Sequence, residues 1–282
     1  MKPVLPRFRD DLRLTDRVAS CWIIGALCPY PYKPMPLPTI PPPDIPGPAL
    51  VRVVGDVHGD ATAFRYAAAT DRFVIQLGDL VDNGPSSAGA LRIMFDLIDQ
   101  RRGLFILGNH EFKLARAIAG QTKRIDPALA ATLGQLDEPL RDRIVREVAH
   151  APLWLRHGNA LFVHGGFHAT MLEQPPPGAG LERPHGAAAR ALYGEPTGRI
   201  QSDGYPERSL AWVDRIPAGI TVYCGHDRRS NDGRPYRRTG QAGGVAVFLD
   251  TGAGKGGHLS WIDLDLLESK FVGNKTPAAN LK

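Results

Sequence analysis

Three times in its first half the chain runs four or five apolar, mostly β-branched residues into a glycine and then presents groups that bind metals or protons. The first is Val51-Arg-Val-Val-Gly-Asp-Val-His-Gly59. The second is Phe73-Val-Ile-Gln-Leu-Gly-Asp-Leu-Val-Asp82, and the third is Leu104-Phe-Ile-Leu-Gly-Asn-His-Glu111. Short apolar runs bounded by glycine predict buried strands. Helical patterns fall between and after them, over Ala61–Ala69, Ser86–Gln100 and Glu111–Ala119. Strands alternating with helices make a parallel sheet whose carboxyl ends share one crevice, so the pattern predicts an α/β fold with its ionisable groups gathered in one place.

The rest of the chain adds to that crevice. Residues 127–150 carry leucine and isoleucine at helical spacing and predict a helical insertion or cap beside it. Strands are expected over Trp154–Arg156, Ala160–Gly166 and Ile220–His226, the last two delivering His164 and His226 next to glycine. Ala187–Tyr193 and Ser209–Asp214 read as helices, and Gly243–Asp250 with His258–Leu264 as a closing pair of strands. Ten of the twenty residues from Pro29 to Pro48 are proline. That density removes backbone donors and fixes φ, so residues 1–48 are expected to be an extended N-terminal extension. The catalytic domain is expected over 49–268 and a tail over 269–282.

Composition excludes little. No stretch reaches the ~18 apolar residues that a membrane span needs, and acids interrupt the arginines ahead of the apolar run Val18–Leu27, against a secretion signal. Cys21, Cys28 and Cys224 form no framework and no close pair, which points to a reducing, cytoplasmic setting. The net charge of +5 is spread along the chain, with a local excess at Arg228, Arg229, Arg234, Arg237 and Arg238. Nucleic acid is therefore permitted as a partner but not indicated.

Collected from the strand ends, Asp56, His58, Asp79, Asp82, Asn109, His110, His164 and His226 combine carboxylate, imidazole and amide oxygen. That set suits a borderline or hard divalent ion. It is too many ligands for one ion and enough for two sharing a carboxylate. Paired ions polarise a phosphoryl oxygen and lower the pKa of a water, so phosphoester hydrolysis is the expected reaction.

In order and spacing, Gly55-Asp-Val-His-Gly59, Gly78-Asp-Leu-Val-Asp82 and Gly108-Asn-His-Glu111, followed by His164-Gly-Gly166 and Gly225-His226, resemble the signature of the calcineurin-like metallophosphoesterases. The likeness is to their phosphoprotein phosphatase branch and, through Tyr193-Gly-Glu-Pro-Thr-Gly198, the Gly-x-Pro-x-Arg segment Gly204 to Arg208 and the Leu-Asp-Thr-Gly block Leu249 to Gly252, it resembles the bacterial subgroup containing the phosphatase module of polynucleotide kinase-phosphatase. The resemblance spans about Ala49 to Leu264 and implies a sandwich of two β-sheets flanked by helices. It implies two divalent ions, Mn²⁺ first and Fe²⁺, Ni²⁺ or Zn²⁺ as alternatives. Asp56, His58 and Asp79 would hold one, Asn109, His164 and His226 the other, with Asp79 bridging. It further implies His110 as the proton donor to the leaving oxygen, Asp82 as its orienting carboxylate, Asp250 as a carboxylate fixing a ligand histidine, and Asn109 and Arg208 as phosphate-binding groups.

One position departs from the family pattern Gly-Asp-x-x-Asp-Arg-Gly, which reads here Gly78-Asp-Leu-Val-Asp-Asn-Gly84. Asn83 has neither the charge nor the two-pronged geometry of the arginine it replaces. Arg199, Arg208, Arg228 and Arg229 are candidate substitutes, Arg208 first because it lies between two ligand strands. Gly252-Ala-Gly-Lys-Gly-Gly257 resembles a phosphate loop, but its lysine is not followed by Ser or Thr, and it reads as the turn between the last two strands. The leading expectation is a phosphomonoesterase of Ser/Thr protein phosphatase type acting on a phosphorylated substrate. The alternatives are a nucleotide or RNA-end phosphoesterase or dinucleoside polyphosphate hydrolase, and a non-catalytic phosphate-binding module.

Overall fold

The structure is a computed structural model that describes residues 50–122, 124–178, 180–201 and 206–266. The extension and tail expected over 1–48 and 269–282, with Cys21 and Cys28, lie outside the described residues. From β1 (Leu50–Val54) the chain passes through α1 (Ala61–Ala68), β2 (Phe73–Gln76), α2 (Ser87–Asp99), β3 (Gly103–Phe105) and α3 (Asn109–Ile118). The helical pair α4 (Pro127–Leu133) and α5 (Glu138–His150) leads to β4 (Trp154–His157) and β5 (Ala160–Val163). Then come α6 (Gly186–Tyr193), β6 (Glu195–Ile200), β7 (Pro206–Ser209), β8 (Thr221–Cys224), β9 (Tyr236–Thr239), β10 (Val245–Phe248) and β11 (Trp261–Asp265).

The strands form two main sheets, ordered β11-β1-β2-β3 and β4-β5-β8-β10-β9, with β6 and β7 as a separate hairpin. β1, β2 and β3 are parallel, as are β5, β8 and β10. Parallel neighbours need crossovers, which α1 and α2 supply in the first sheet. Alternation along each strand decides what lies between the sheets. Val51 and Val53 of β1, Ile75 of β2 and Leu104 of β3 meet Leu155, Phe162, Tyr223 and Val247 of the second sheet in one buried cluster. The Phe162 and Tyr223 rings, paired across β5 and β8, stack with centroids 5.4 Å apart. The opposite faces are covered too: Val74 and Phe105 share a cluster with Phe64 and Met94, and Val163, Val222 and Phe248 lie in it with Leu192 and Trp212. Burial on both faces is why these strands read as nearly unbroken apolar runs.

The stretch over 127–150 is helical and consists of two helices, capped by Asp126 and Asp137, each of which accepts from a backbone N–H of its own first turn. Three local expectations need correction. Ser209–Asp214 is the end of β7 followed by a 3₁₀ turn over Val213–Arg215. The last two strands do not pair with each other: β10 lies between β8 and β9, whereas β11 runs antiparallel to β1 in the other sheet. Helix α3 opens at Asn109, two residues before the expected start, so Asn109 and His110 belong to its first turn.

Candidate active site

The parallel strands deliver their loops to one crevice, and the backbone there is unusual. Among the described residues six non-glycine positions have positive φ, and five of them are His58, Asp79, Asp82, Asn83 and His226. Such conformations cost free energy and persist where surrounding bonds enforce them. Here the enforcing groups are visible. Val57 and His58 both donate N–H to the Asp79 carbonyl, at 3.0 and 2.8 Å, locking the first loop onto the second. Buried Glu111, on α3, accepts from the N–H groups of Asp79, Leu80 and Val81 at 2.8, 2.7 and 3.2 Å. Gly78 has φ +95°, and a Cβ on it would stand 2.7 Å from the Gly108 Cα, so only glycine lets the second and third loops meet.

That meeting brings the sequence candidates together around Asp79. His58 donates from Nδ1 to the Val81 carbonyl at 3.0 Å, which leaves its Nε2 as a lone pair. This atom is buried with no hydrogen-bond partner among the described residues. It faces carboxylate oxygens of Asp56 and Asp79 at 3.8 and 3.7 Å. Likewise His164 donates from Nδ1 to the Leu77 carbonyl at 2.8 Å. Its Nε2 faces Asn109 Oδ1, Asp79 Oδ1 and His226 Nδ1 at 3.0, 3.3 and 3.2 Å. Acceptors turned toward one another across such gaps are a donor set for a cation. Asp79 belongs to both groups that could hold an ion, one with His58 and His110 and the other with His164 and His226, and presents a different oxygen to each.

The electrostatics express the same demand for positive charge. Burial opposes a proton on His164, yet Asp79 and Asp56 raise its pKa to about 9. Burial takes His58 down to about 3. Burial also acts on Asp79, but His164 and His110 hold its carboxyl well below the usual range. Burial and Asp250 push Asp56 up. The Asp56 carboxylate also accepts from the His226 N–H, at 3.1 and 3.0 Å, so the strand-β8 loop is fastened to the strand-β1 loop through it.

His110 stands at the rim, its side chain 19% exposed over an Asp82 that is fully covered. The imidazole Nδ1 lies 2.7 Å from Asp82 Oδ2. Burial works against a charge on His110, but Asp79 and Asp82 outweigh it and raise the pKa. Asp82 itself is lowered to about 2, burial being overcome by its bonds to His110, Lys113 and Thr132. The last two were not singled out in the sequence. Lys113 Nζ lies 2.7 Å from Asp82 Oδ2 and 3.1 Å from Asp126, the cap of α4. Thr132, inside α4, donates to Asp82 Oδ1 at 2.7 Å. The helical insertion thus buttresses Asp82 from beneath. Thr132→Val keeps the shape and deletes one bond, so kcat is expected to fall roughly threefold to tenfold with metal content unchanged. Steady-state kinetics beside metal analysis checks this, and an unaltered kcat would remove Thr132 from the account.

The model of the calcineurin-like phosphoesterases matches residues 50–227. The chain belongs to that family. Calcineurin-like phosphoesterases use divalent metals, and the two groups around Asp79 are where this member could hold them. The chain is similar to the asymmetrical bis(5'-nucleosyl)-tetraphosphatase PrpE of Anoxybacillus flavithermus, 25% identical over 248 residues, 80% of this chain and 94% of that one. It is also similar to the symmetrical bis(5'-nucleosyl)-tetraphosphatase of an Acidovorax species, 40% identical over 124 residues, 40% of this chain and 42% of that one. Among solved structures it shares its fold with a protein serine/threonine phosphatase of Saccharomyces cerevisiae, at 15% identity and TM-score 0.53, over 77% of this chain and 80% of that one.

The remaining candidates sort by position. Above the metal-binding groups lies a crevice of about 460 Å³ whose lining includes Asp79, Asn109, His110, Arg208, Arg228 and Lys255. Arg208 Nε is 3.2 Å from His226 Nε2, which places the guanidinium on the His226 side. Arg229 also lines the crevice but is paired with Asp227. Arg199 is held by Glu207 at 2.6 Å on the β6–β7 hairpin and is absent from the lining. Asp250 accepts from the Gly252 N–H at 2.9 Å, and backbone carbonyls take the Nδ1 protons of His58 and His164.

Asn83 folds back, with its amide nitrogen 3.1 Å from His58 Nδ1. Its φ of +66° suits asparagine. Asn83→Arg restores the family's arginine and is expected to tighten competitive inhibition by orthophosphate by about tenfold. The left-handed backbone should cost the variant ~1 kcal/mol of stability. Inhibition constants and a thermal melt measure both effects, and an unchanged constant would mean that the attacked phosphate is already fully gripped.

Proposed function

We propose that the protein hydrolyses dinucleoside polyphosphates. The observation that carries this reading is the crevice itself: Arg208, Arg228 and Lys255 line it together with His110, beside an Arg229 that Asp227 already pairs. Several cations around one reaction centre match a chain of linked phosphates better than a single phosphorylated side chain. Relatives of matching length named for bis(5'-nucleosyl)-tetraphosphatase activity support the choice. The likeness to a serine/threonine phosphatase, at 15% identity, concerns the fold.

In this reading two divalent ions, Mn²⁺ first and Fe²⁺, Ni²⁺ or Zn²⁺ as alternatives, would be held by Asp56, His58 and Asp79 and by Asn109, His164 and His226, with Asp79 common to both. When bound they supply electrophilic pull on the phosphoryl oxygens and a water acidic enough to attack at neutral pH. Water adds to one phosphorus, an anhydride P–O bond breaks, and the departing phosphate oxygen takes the Nε2 proton of His110. Asp82 accepts from Nδ1 and stabilises the imidazolium, which keeps His110 charged into a higher pH range than an isolated histidine. Arg208, beside His226, takes the attacked phosphate.

The test compares kcat/KM for diadenosine tetraphosphate, a phosphoserine peptide and p-nitrophenyl phosphate in Mn²⁺. The dinucleotide is expected to lead the peptide by at least about tenfold. A peptide turned over more efficiently would overturn the proposal in favour of a protein phosphatase.

A further inference from the structure

The glycine-rich segment Gly252–Gly257 is the turn leaving β10, as its sequence suggests, yet it is not a remote one. Lys255 and Gly257 both donate N–H to the Gly252 carbonyl, at 3.0 and 2.8 Å, folding the segment tightly. Gly254 has φ +68°, and a Cβ there would lie 2.2 Å from the His58 carbonyl oxygen, so the turn is pressed against the first metal-binding loop. On its other side the Arg228 stem lies against Gly252, its Cδ 3.1 Å from where a Cβ would be. The turn is therefore wedged between His58 and Arg228. Its apex carries Lys255 into the lining of the crevice that holds Asp79, Asn109 and His110.

Lys255 is exposed, and its charge acts on Asp56, His58 and Asp250. Among the described residues neither the Lys255 ammonium nor the Arg228 guanidinium has a hydrogen-bond or ion-pair partner, whereas those of Arg208 and Arg229 each lie against a neighbour. Two cations left without counter-charges beside a phosphoester site are a place for an anion. Lys255 rises from the turn pressed against His58, and Arg228 lies against the same turn two residues after His226.

We propose that Lys255, with Arg228 beside it, binds a phosphate adjoining the one attacked, so that the crevice selects nucleotides with two or more linked phosphates over monoesters. This rests on the proposed dinucleoside polyphosphate reading. It gives these two cations a task distinct from that of the arginine missing at Asn83: discrimination by chain length, not grip on the reacting phosphorus.

The test measures calorimetric dissociation constants of α,β-methylene ADP and of AMP for the Mn²⁺-loaded protein. The two ligands share adenosine and the phosphorus on its 5′ oxygen and differ by a terminal phosphonate joined through a methylene carbon. The wild type is expected to bind the diphosphate tighter by about tenfold, as one charge-assisted contact allows. Lys255→Ala should bring the two ligands to within about twofold of each other, and Lys255→Arg should keep the preference. Bound Mn²⁺ should be equal in all three, since Lys255 is an exposed side chain outside both metal-binding groups. A diphosphate preference missing from the wild type, or unchanged in Lys255→Ala, overturns the subsite. The two proposals fail separately: an enzyme inactive on diadenosine tetraphosphate removes the substrate assignment, while the ADP and AMP constants still decide what Lys255 binds.

Discussion

Replacing His110 with alanine is expected to lower kcat for diadenosine tetraphosphate by roughly 10²–10⁴-fold while both metal sites stay filled. The size follows from what is lost, a positioned proton donor at the leaving oxygen. Asp82 holds Nδ1 at 2.7 Å, so the ring has one free nitrogen, and its 19% exposed side chain reaches the crevice. The retention of metal is the discriminating half. His110 Nε2 lies 3.8 Å from Asp79 Oδ2, and His58, Asp79 and His110 form a group that could itself hold an ion. Metal stoichiometry on the purified variant therefore chooses between proton donor and ligand. A drop in bound metal parallel to the drop in kcat would reassign His110, and with it the chemistry of the rim. KM should change little, because the missing interaction is made in the transition state.

What could be read from the sequence depended on the range over which each feature is determined. Gly55, Gly78 and Gly108 each close an apolar run, and a buried parallel strand is the local solution to such a run, so the strand ends and the groups they carry were visible from the local order of residues alone. The polar strands were not. Every residue of β6 after Glu195 is exposed, and β9 is Tyr-Arg-Arg-Thr at a sheet edge. Neither has an apolar alternation to find, and Arg237 and Arg238 registered only as part of a local excess of basic charge.

Long-range pairing was equally hidden. β11 alternates between exposed and half-buried residues whichever strand it joins, and only the contact with β1, some 210 residues earlier, assigns it to the first sheet. At the rim, Thr132 reaches Asp82 from 50 positions away, and a helical threonine gives no local sign of a distant carboxylate. Lys113 is different, because it lies three residues beyond His110 on the same helix, and that spacing would have placed the two on one face. Lys255 was visible but misplaced, since its loop failed the pattern of a nucleotide-binding loop while the fold set it beside the site by another route.

Glu111→Ala is expected to destabilise the domain by about 3–5 kcal/mol, an effect that neighbouring His110→Ala should not have. Successive residues on a helix point about 100° apart, so Asn109 and His110 can face the crevice while Glu111 turns beneath it. There its carboxylate accepts three N–H groups, from Asp79, Leu80 and Val81, in a loop whose backbone at Asp79 and Asp82 has positive φ. Burial and Asp79 push the Glu111 pKa up to about 7, and the N–H donors pull against them. Removing the side chain leaves three buried donors without partners and takes away what enforces the strained turn. For a domain of this size the melting temperature should fall by roughly 8–15 °C. Affinity for metal should fall as well, since Asp79 faces both metal-binding groups and its loop loses its anchor. Differential scanning calorimetry with metal titration checks both parts. A melting temperature within ~2 °C of the wild type would show that water satisfies the loop in place of Glu111, and that the position of Asp79 is determined by the contacts of Gly78 and Gly108 instead.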